Sequence, residues 1–351
     1  MEPLIKSLSH EYPSLGVYVL TSDFGVSENC KIETNKFILK DGFKVKYVNY
    51  KELGFSLRFI RNGISIINQV DRIHLSSIFF SPNLLIAFYS LLVGKKVLWS
   101  PHGELMKSAF HSKIWKKAPY YILVFIISPW ITFRVTSPQE EKRLRRILPF
   151  SKIYLIPNMI TFKEKVKVEK KAQFLFLGRI ARIKQLINII YACKYSNKFI
   201  ESDYKFIIAG PKDKASRGYY EEIIHSIERT GLRNKVILKG SILSPQKEAL
   251  LAESRALFLV SKSENFGNVV IEALQQGTPV VASKGTPWEI LNEKSCGLWV
   301  ESTPRELANV LDYFIEMNEL KYQEMCINAL DFSNKFREEN IIQDWMRFIN
   351  D

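Results

Sequence analysis

The sequence is poor in cysteine, and its few cysteines are not arranged to hold a metal or to pair. Cys30, Cys193, Cys296 and Cys326 lie far apart in the 351 residues, without a CxxC pair and without a histidine at metal-ligand spacing. This pattern argues against a zinc site or a disulfide framework and favours a reducing compartment. We therefore expect a cytoplasmic protein with no bound metal and no cofactor.

Several nucleotide and catalytic motifs are also missing. There is no GxGxxG after a first strand, no GxxxxGK[ST] and no GxSxG. These absences argue against a nicotinamide cofactor, a P-loop nucleotide site and a serine-hydrolase elbow. An Asp-x-Asp pair, which would hold a metal together with a diphosphate, is missing as well.

No stretch is predicted to cross a membrane, and no signal peptide is evident at the start. Residues 75–94 are uncharged and long enough to span, but serines, Pro82 and Asn83 interrupt them. We predict instead a strand at 78–80 and a buried helix at 84–92. Residues 118–133 are too short to span and contain Pro129.

The charge is unevenly distributed along the chain. Residues 1–165 carry 24 Lys and Arg against 12 Asp and Glu, whereas residues 166–351 carry 26 against 24. A basic first half indicates an anionic partner, namely nucleic acid, an anionic membrane or a phosphorylated acceptor.

Strand and helix patterns alternate in both halves, which predicts parallel sheets covered by helices. The predicted strands lie at 16–21, 43–48, 71–75, 96–100, 131–136, 153–156, 173–177, 204–209, 235–238, 256–260 and 279–282. Helices are predicted at 139–147 and 337–349 and between the later strands. The fold class is α/β, with two Rossmann-like domains that face each other across a cleft.

The predicted domain organisation follows from a charged, aperiodic stretch near the middle. Residues 1–158 form the acceptor-side domain, 159–172 the linker and 173–328 the donor-binding domain. Residues 329–351 are a helical segment that packs back toward the first domain. The first domain opens with a helix rather than the usual strand and glycine loop, so we expect a chain shortened at its start.

Two segments of the second half carry the pattern of an anion site. Gly178, Arg179 and Lys184 follow a strand and open a helix, which suits a phosphate, although solvated basic residues at a helix start would look alike. Residues 264–272 (ENFGNVVIE) follow another strand. There Asn268 is predicted to cap a helix that ends at Gly277, with a glutamate at each end of the segment.

His102, in the Ser-Pro-His-Gly-Glu loop after a first-half strand, is a candidate by position. Flanking proline and glycine fix this loop at a strand's carboxyl end, where ligands of such sheets bind. A purely structural histidine would show the same pattern.

Taken together these residues resemble glycosyltransferase family 4, retaining enzymes of the GT-B fold. The match rests on Phe-Leu-Gly-Arg with Lys184, on the E-x7-E segment, on Gly-Thr-Pro-Val-Val-Ala with the following Gly-Thr-Pro-Trp-Glu, and on SPHGEL. Gln185 departs from the family, which usually has glycine there.

The resemblance implies a role for each site residue. Arg179 and Lys184, beside Gly178, would neutralise the donor diphosphate without a metal. His102 and Glu264 would be the catalytic residues at the transferred sugar or acceptor. The remaining donor contacts would come from Phe266, Gly267, Asn268, Val269 and Glu272, the last at the ribose.

The implied partners are a UDP- or GDP-sugar and a saccharide or polyprenyl-diphosphate-linked acceptor of surface polysaccharide, such as lipopolysaccharide. Lys107, Lys113, Lys116 and Lys117, interleaved with Trp115, Tyr120 and Tyr121, would suit an anionic membrane surface as well as a solvated basic face. The alternatives are an inactive, truncated relative, an epimerase or phosphorylase on the same scaffold, and a basic nucleic-acid-binding protein. No nucleic-acid module is present in the sequence.

Overall fold

The computed structural model describes residues 2–23, 33–49, 56–106, 114–213 and 215–351, without the side chains of Glu2 and of residues 114–116. It divides the chain into two compact units. Unit 1 comprises Met1–Met159 and Glu338–Asp351, and unit 2 comprises Ile160–Arg337. The described side chains of the predicted basic and aromatic surface are therefore Lys117, Tyr120 and Tyr121.

Unit 1 contains seven described strands and six described helices, beginning with a helix as expected. The strands are β1 (Tyr18–Ser22), β2 (Phe37–Lys40), β3 (Phe43–Val48), β4 (Arg72–Ser76), β5 (Lys96–Ser100), β6 (Ile131–Val135) and β7 (Lys152–Leu155). The helices are α1 (Glu2–Glu11), α2 (Leu57–Ile67), α3 (Ser81–Leu92), α4 (Ile114–Ile127), α5 (Pro138–Ile147) and, from the C-terminal segment, α14 (Glu338–Asn350).

These strands form two separate sheets. One has the order β1-β3-β2, in which β1 and β3 are parallel and β2 pairs antiparallel with β3. The other has the order β4-β5-β6-β7, and all its pairs are parallel. A core that includes Val48, Leu75, Trp99 and Phe133 packs against α2 and α3. A second core joins Leu4 and Leu8 of α1 to Trp345 and Phe348 of α14.

Unit 2 is a single doubly wound domain. Its strands are β8 (Gln173–Leu177), β9 (Lys205–Ala209), β10 (Val236–Gly240), β11 (Ala256–Leu259), β12 (Val280–Ser283) and β13 (Gly297–Val300). Its helices are α6 (Leu186–Tyr195), α7 (Asn197–Glu201), α8 (Tyr219–Thr230), α9 (Gln246–Glu253), α10 (Asn268–Gln275), α11 (Ile290–Glu293), α12 (Pro304–Glu316) and α13 (Glu319–Ser333).

The six strands of unit 2 lie in the order β10-β9-β8-β11-β12-β13, and every pair is parallel. Both faces are covered, by one buried cluster around Phe174, Phe206 and Phe258 and by another around Leu175 and Leu257. Strands that are buried on both faces have continuous apolar sequences, and this pattern allowed β8 and β11 to be predicted. The α/β class with parallel sheets in two domains is confirmed.

Three local predictions were wrong or incomplete. Residues 78–80 are not a strand; the strand ends at Ser76, and the chain turns into α3. Strands β2 and β13, which both lie at sheet edges, were not predicted. Residue 329, the predicted start of the return segment, lies inside α13, whereas the segment assigned to unit 1 begins at Glu338. Among the described residues, no helix is both long and apolar enough to cross a membrane.

Candidate functional site

The turn after β8 brings Gly178 against the neighbouring strand end. The Gly178 N–H donates to the carbonyl of Ala209 at 3.0 Å. A Cβ built on Gly210 would lie 1.9 Å from the Gly178 oxygen, so a side chain at Gly210 cannot fit. The glycines that follow β8 and β9 therefore allow the two backbones to approach closely. Arg179 comes directly after this close contact.

Arg179 is an open cation at this edge of the sheet. Its guanidinium lies 3.4 Å from a carboxylate oxygen of Asp213 and its side chain is 66% exposed. The neighbouring Arg182 is held differently, by a two-pronged pair with Glu222 on α8. Arg179 is thus the more available of the two arginines for an anionic ligand.

Lys184 and Glu264 form an ion pair that links two loops. The Lys184 ammonium donates to the Glu264 carboxylate, which also accepts from the Ser261 hydroxyl at 3.2 Å. Both side chains are largely buried, at 14% and 20% exposed. A backbone hydrogen bond from Lys262 to Ile183 (2.8 Å) joins the same loops. The sequence placed these two residues in separate motifs, and the structure places them in direct contact.

Helix α10 begins at this site, but not as predicted. Its N-cap is Gly267, at φ 82°, and no side chain caps it; Asn268 is already the first helical residue. The prediction of an Asn268 cap was therefore wrong, because the left-handed Gly267 makes the turn into the helix. The first N–H groups of a helix have no partner within it, so the start of a helix is a place where an anion or a hydroxyl can bind.

Two large side chains support this turn. Phe266 is buried and packs on Trp288, with ring centroids 5.4 Å apart. The Trp288 indole N–H donates to the Phe266 carbonyl. Gly267 has a left-handed φ that favours glycine, and a Cβ there would lie 2.7 Å from the side chain of the buried Leu259, which would have to shift. Phe266 thus positions the loop, while its side chain faces the core.

Glu272 lies further along α10 and has its own cation. Its carboxylate lies 2.9 Å from the ammonium of Lys247 on α9, and both side chains are about three-quarters buried. The two glutamates of the motif thus pair with different lysines. The sequence predicted separate roles for them, and the structure gives them separate partners.

His102 lies in unit 1, beyond the carboxyl end of β5, with a left-handed φ of 52°. Its Nε2 lies 2.9 Å from the Ser76 hydroxyl. Burial, and secondarily the charge of Arg134, lowers the pKa of His102 to about 4. The ring is therefore neutral near pH 7, with a nitrogen lone pair available as an acceptor or base.

Two glutamates hold the loop of His102, and sequence reasoning missed both roles. Glu104 accepts from the Ser77 hydroxyl and from the N–H groups of Ile78 and Phe79. Glu140 is fully buried and accepts from the Gly103 N–H and from Thr136. Burial raises the pKa of Glu140. The Ser-x-x-Glu pattern at the start of α5 was a usable signal for Glu140, since it predicts a capping residue.

The sequence analysis also missed Asp213 and Lys247, because each forms an ion pair with a residue distant in the sequence. No signal within either segment marks them; only pairing of β8 with β9, and of α9 with α10, brings them to Arg179 and Glu272. Across the described ranges, no group of three or more His, Cys, Asp or Glu is placed to hold a metal ion.

Comparison with known proteins identifies the fold and gives a family match for unit 2. The family model for glycosyl transferases group 1 matches residues 159–330, nearly all of unit 2. An uncharacterised glycosyltransferase of Methanocaldococcus jannaschii is 28% identical over 224 residues, which cover 62% of this chain and 50% of that protein. A 41.2 kDa protein of the cps region of Klebsiella pneumoniae is 23% identical over 305 residues, or 80% and 78% of the two chains.

Among solved structures, HepE of Anabaena in complex with UDP has a TM-score of 0.73 at 18% identity, covering 87% of this chain and 86% of that one. This likeness shows the fold, which is the GT-B arrangement of two Rossmann-like domains. The family match falls on the unit that carries Arg179, Lys184 and Glu264, so unit 2 of this chain matches the group 1 glycosyltransferases.

Proposed function

We propose that the protein transfers a hexose from a UDP- or GDP-sugar to a saccharide or lipid-linked saccharide acceptor, with retention of configuration. The observation that carries this proposal is the junction of two loops at the carboxyl ends of β8 and β11. There the Lys184–Glu264 pair lies beside an open arginine and the uncapped start of α10. A sugar diphosphate can be bound by a cation that contacts its phosphates together with a carboxylate that accepts hydrogen bonds from its sugar hydroxyls.

The cations would act on the leaving group. When the glycosidic bond breaks, negative charge grows on the diphosphate, and fixed positive charge there lowers the barrier. Arg179 offers a planar fork that can bind phosphate oxygens in pairs, and Lys184 offers a point charge. Asp213 holds Arg179 only loosely, at 3.4 Å, so the guanidinium can turn to a ligand without breaking a tight pair.

The carboxylates would act on hydroxyls. An ammonium has three donors, so Lys184 can keep Glu264 while it donates to a phosphate oxygen. Glu264 would then accept from hydroxyls of the transferred sugar, and Glu272 from those of the ribose. The amides at Gly267, Asn268 and Val269 would contact sugar and phosphate. We name no protein nucleophile, since attack on the face from which the diphosphate leaves requires none.

His102 is proposed as a substrate-contacting residue of unit 1. A ring that is neutral near pH 7, at a strand's carboxyl end, is suited to accept a hydroxyl proton or hydrogen bond. We expect His102→Ala to lower kcat strongly and to leave UDP affinity unchanged.

A thermal-shift titration with UDP, GDP, ADP and CMP tests the donor site. A ligand at 100 times its Kd adds about 2.7 kcal/mol of stability, provided that it binds only the folded state. For a unit of this size that is a rise in Tm of roughly 5–10 °C. Loss of charged hydrogen bonds in Arg179→Ala should weaken binding by roughly tenfold to a hundredfold.

Arg305→Ala is the matched control, because Arg305 is an exposed arginine of unit 2 on α12, outside the candidate site. If no nucleoside diphosphate stabilises the parent chain, the donor proposal fails and an inactive relative becomes the better description. A shift that survives in Arg179→Ala and Lys184→Ala would place the nucleotide elsewhere.

We further propose that unit 1 meets its acceptor at an anionic membrane surface. Helix α4 exposes Ile122, Leu123 and Ile126, and Trp130 just beyond it is 68% exposed. Helix α3, which contacts α4, exposes Phe88 and Leu92. Apolar surface of this extent marks an interaction site, and the net charge of residues 1–165 favours an anionic one. The Klebsiella relative, from a cps region, supports a role in surface polysaccharide.

Co-sedimentation with vesicles tests this surface. We expect binding to vesicles rich in phosphatidylglycerol, weaker binding to phosphatidylcholine, and a loss of at least tenfold in Ile122→Ser/Ile126→Ser. Leu320→Ser is the control, since Leu320 is a highly exposed leucine of unit 2. Equal binding by both variants would overturn the assignment to α4.

A further inference from the structure

The three-stranded sheet of unit 1 carries two lysines on one face of its middle strand. Phe43 and Val45 of β3 are buried, and β3 contacts helix α1. Successive side chains of a strand point to opposite faces, so Lys44 and Lys46 lie on the other face from Phe43 and Val45. Lys44 is exposed and Lys46 is half-buried. This second face of the sheet is therefore open to a partner.

An aromatic ring lies beside each of the two lysines. Tyr18 of β1 is opposite Lys44, and the Lys44 ammonium lies 4.9 Å from the Tyr18 ring centroid and donates to its hydroxyl at 3.2 Å. Phe37 of β2 is opposite Lys46, whose ammonium lies 5.3 Å from the Phe37 ring centroid. The two rings contact each other edge to face, with centroids 5.7 Å apart. Together with Leu39, which is opposite Lys44 and 72% exposed, these residues are here called the basic sheet face.

Neither Lys44 nor Lys46 forms an ion pair with a carboxylate of a described residue. By contrast, Lys6 of the same unit lies 3.0 Å from a carboxylate oxygen of Asp41. A cation over an aromatic ring is held by the charge distribution of the ring, and an ammonium has three N–H donors. Both lysines are thus held in place and can still donate to an anion. Residues two apart in a strand are separated by about 7 Å, so the face offers two cations at a defined spacing.

The positions of the rings and of Leu39 favour one class of anionic partner. Single-stranded nucleic acid stacks its bases on open aromatic rings, whereas here a lysine lies over each ring and the rings contact each other. Membrane binding grows with the apolar area that enters the lipid, and the apolar groups here are Leu39 and the 39% exposed Phe37. A saccharide chain with negative charges fits better, because its anionic groups can pair with the lysines while its C–H groups pack on Leu39.

From this geometry we propose that the basic sheet face binds an anionic saccharide chain, whose carboxylate or phosphate groups pair with Lys44 and Lys46. This chain is part of the acceptor, an assignment that rests on the proposed function, whereas the binding itself needs no donor. The face thereby selects charged acceptor chains over neutral ones, and the spacing of the two lysines favours chains whose charges repeat at a similar interval.

Fluorescence polarisation with labelled oligosaccharides tests this face. The probes are an oligogalacturonide, which carries carboxylates, a glycerol-phosphate oligomer, which carries phosphodiesters, and a neutral maltooligosaccharide of similar length. We expect at least one anionic probe to bind, and the neutral probe to bind at least tenfold more weakly. Lys44→Gln/Lys46→Gln should lose about tenfold in affinity for the anionic probe, since two exposed charge pairs are removed. The two anionic arms identify which charged group the chain carries.

Lys142→Gln/Arg146→Gln is the matched control, because it also removes two positive charges from exposed positions of unit 1, on helix α5. Circular dichroism checks that both double variants fold like the parent chain. An equal loss of affinity in the control would show general charge attraction and overturn the proposal. Equal binding of the neutral probe, or no binding of either anionic probe, would overturn it as well.

Two further probes distinguish the other classes of partner. Binding of oligo(dT), or of phosphatidylglycerol vesicles, that is lost in Lys44→Gln/Lys46→Gln while the saccharides do not bind would overturn the proposal and reassign the face. The thermal shift of this variant with UDP should equal that of the parent chain. A missing UDP shift in the parent therefore reports failure of the donor proposal, and unchanged saccharide binding in the variant reports failure of this one.

Discussion

At the scale of single residues, each charged side chain of the candidate site forms an ion pair with one particular partner. Lys184 holds Glu264, Lys247 holds Glu272, and Asp213 holds Arg179. Each glutamate of the proposed site is thus oriented by a lysine that lies on another loop or helix. Substitution of either partner would therefore leave a partly buried charge behind, which costs more than the loss of an exposed ion pair.

Two partly buried histidines of unit 1, His74 and His102, make its stability depend on pH. Burial, with Arg134 and then His102 as smaller causes, lowers the pKa of His74 to about 3, and the pKa of His102 is about 4. In the unfolded chain both titrate near 6.5. Between these values the unfolded state binds more protons, so stability is full above pH 6.5 and falls as the pH drops toward 4.

We therefore expect urea unfolding of unit 1 to lose on the order of 1.4 kcal/mol per pH unit for each depressed histidine in this window. His74→Gln should remove part of that slope while it keeps a hydrogen-bonding group near Ser100. His225→Gln, at a highly exposed position of unit 2, is the control. An unchanged slope in His74→Gln would show that other groups carry the pH dependence.

At the scale of elements, the start of α10 is determined by a backbone conformation rather than by a capping side chain. Gly267 is at φ 82° with Leu259 and Trp288 close by, whereas Gly231, at φ 74° after α8, has open space around its Cβ position. Both substitutions to alanine meet backbone strain, and only Gly267→Ala also meets a steric clash.

We expect Gly231→Ala to cost about 1 kcal/mol and Gly267→Ala about 2–4 kcal/mol of unfolding free energy. Chemical unfolding of both variants, followed by tryptophan fluorescence, measures the difference. Gly267→Ala should also weaken UDP binding, because the amides at the start of α10 would be displaced together with the turn. Equal costs for the two variants would mean that the loop relaxes freely around Gly267.

Strands were predicted well where they carry a clear apolar or alternating pattern, and two short strands at sheet edges, β2 and β13, were missed. Strands β3 and β5 have the predicted bounds, because their apolar or alternating patterns begin and end with the element. Strand β13 is a four-residue edge strand, and its Gly297 lies so close to Val280 that only glycine fits. The sequence around it carries no periodicity that would have shown this.

At the scale of the whole molecule, the C-terminal helix belongs to the core of the first unit. Trp345 and Phe348 of α14 are buried with Leu4 and Leu98. The guanidinium of Arg134 lies 5.0 Å from the Trp345 ring and donates to the carbonyl of Ile156. One side chain thus links α14 to the end of β7.

Trp345→Ala should cost about 3–5 kcal/mol of the unfolding free energy of unit 1, because a large buried ring is removed from a packed core. Differential scanning calorimetry should show a lowered transition for unit 1 beside an unchanged transition for unit 2. Leu320→Ala, at an exposed position of α13, should leave both transitions unchanged. A uniform drop in both transitions would indicate that the two units unfold together.

The sequence by itself determined the α/β class and the alternation of strands and helices in both halves, and it supplied the residues of the proposed anion site as a prediction. These features depend on local periodicity, on glycines next to strands and on charge type, all of which can be recognised from residues close together in the sequence. Only the tertiary structure decided which charges meet and that Gly267, rather than Asn268, is the N-cap residue of α10. Each of these depends on contacts between residues far apart in the chain, and the packing of sheets and helices alone determines them.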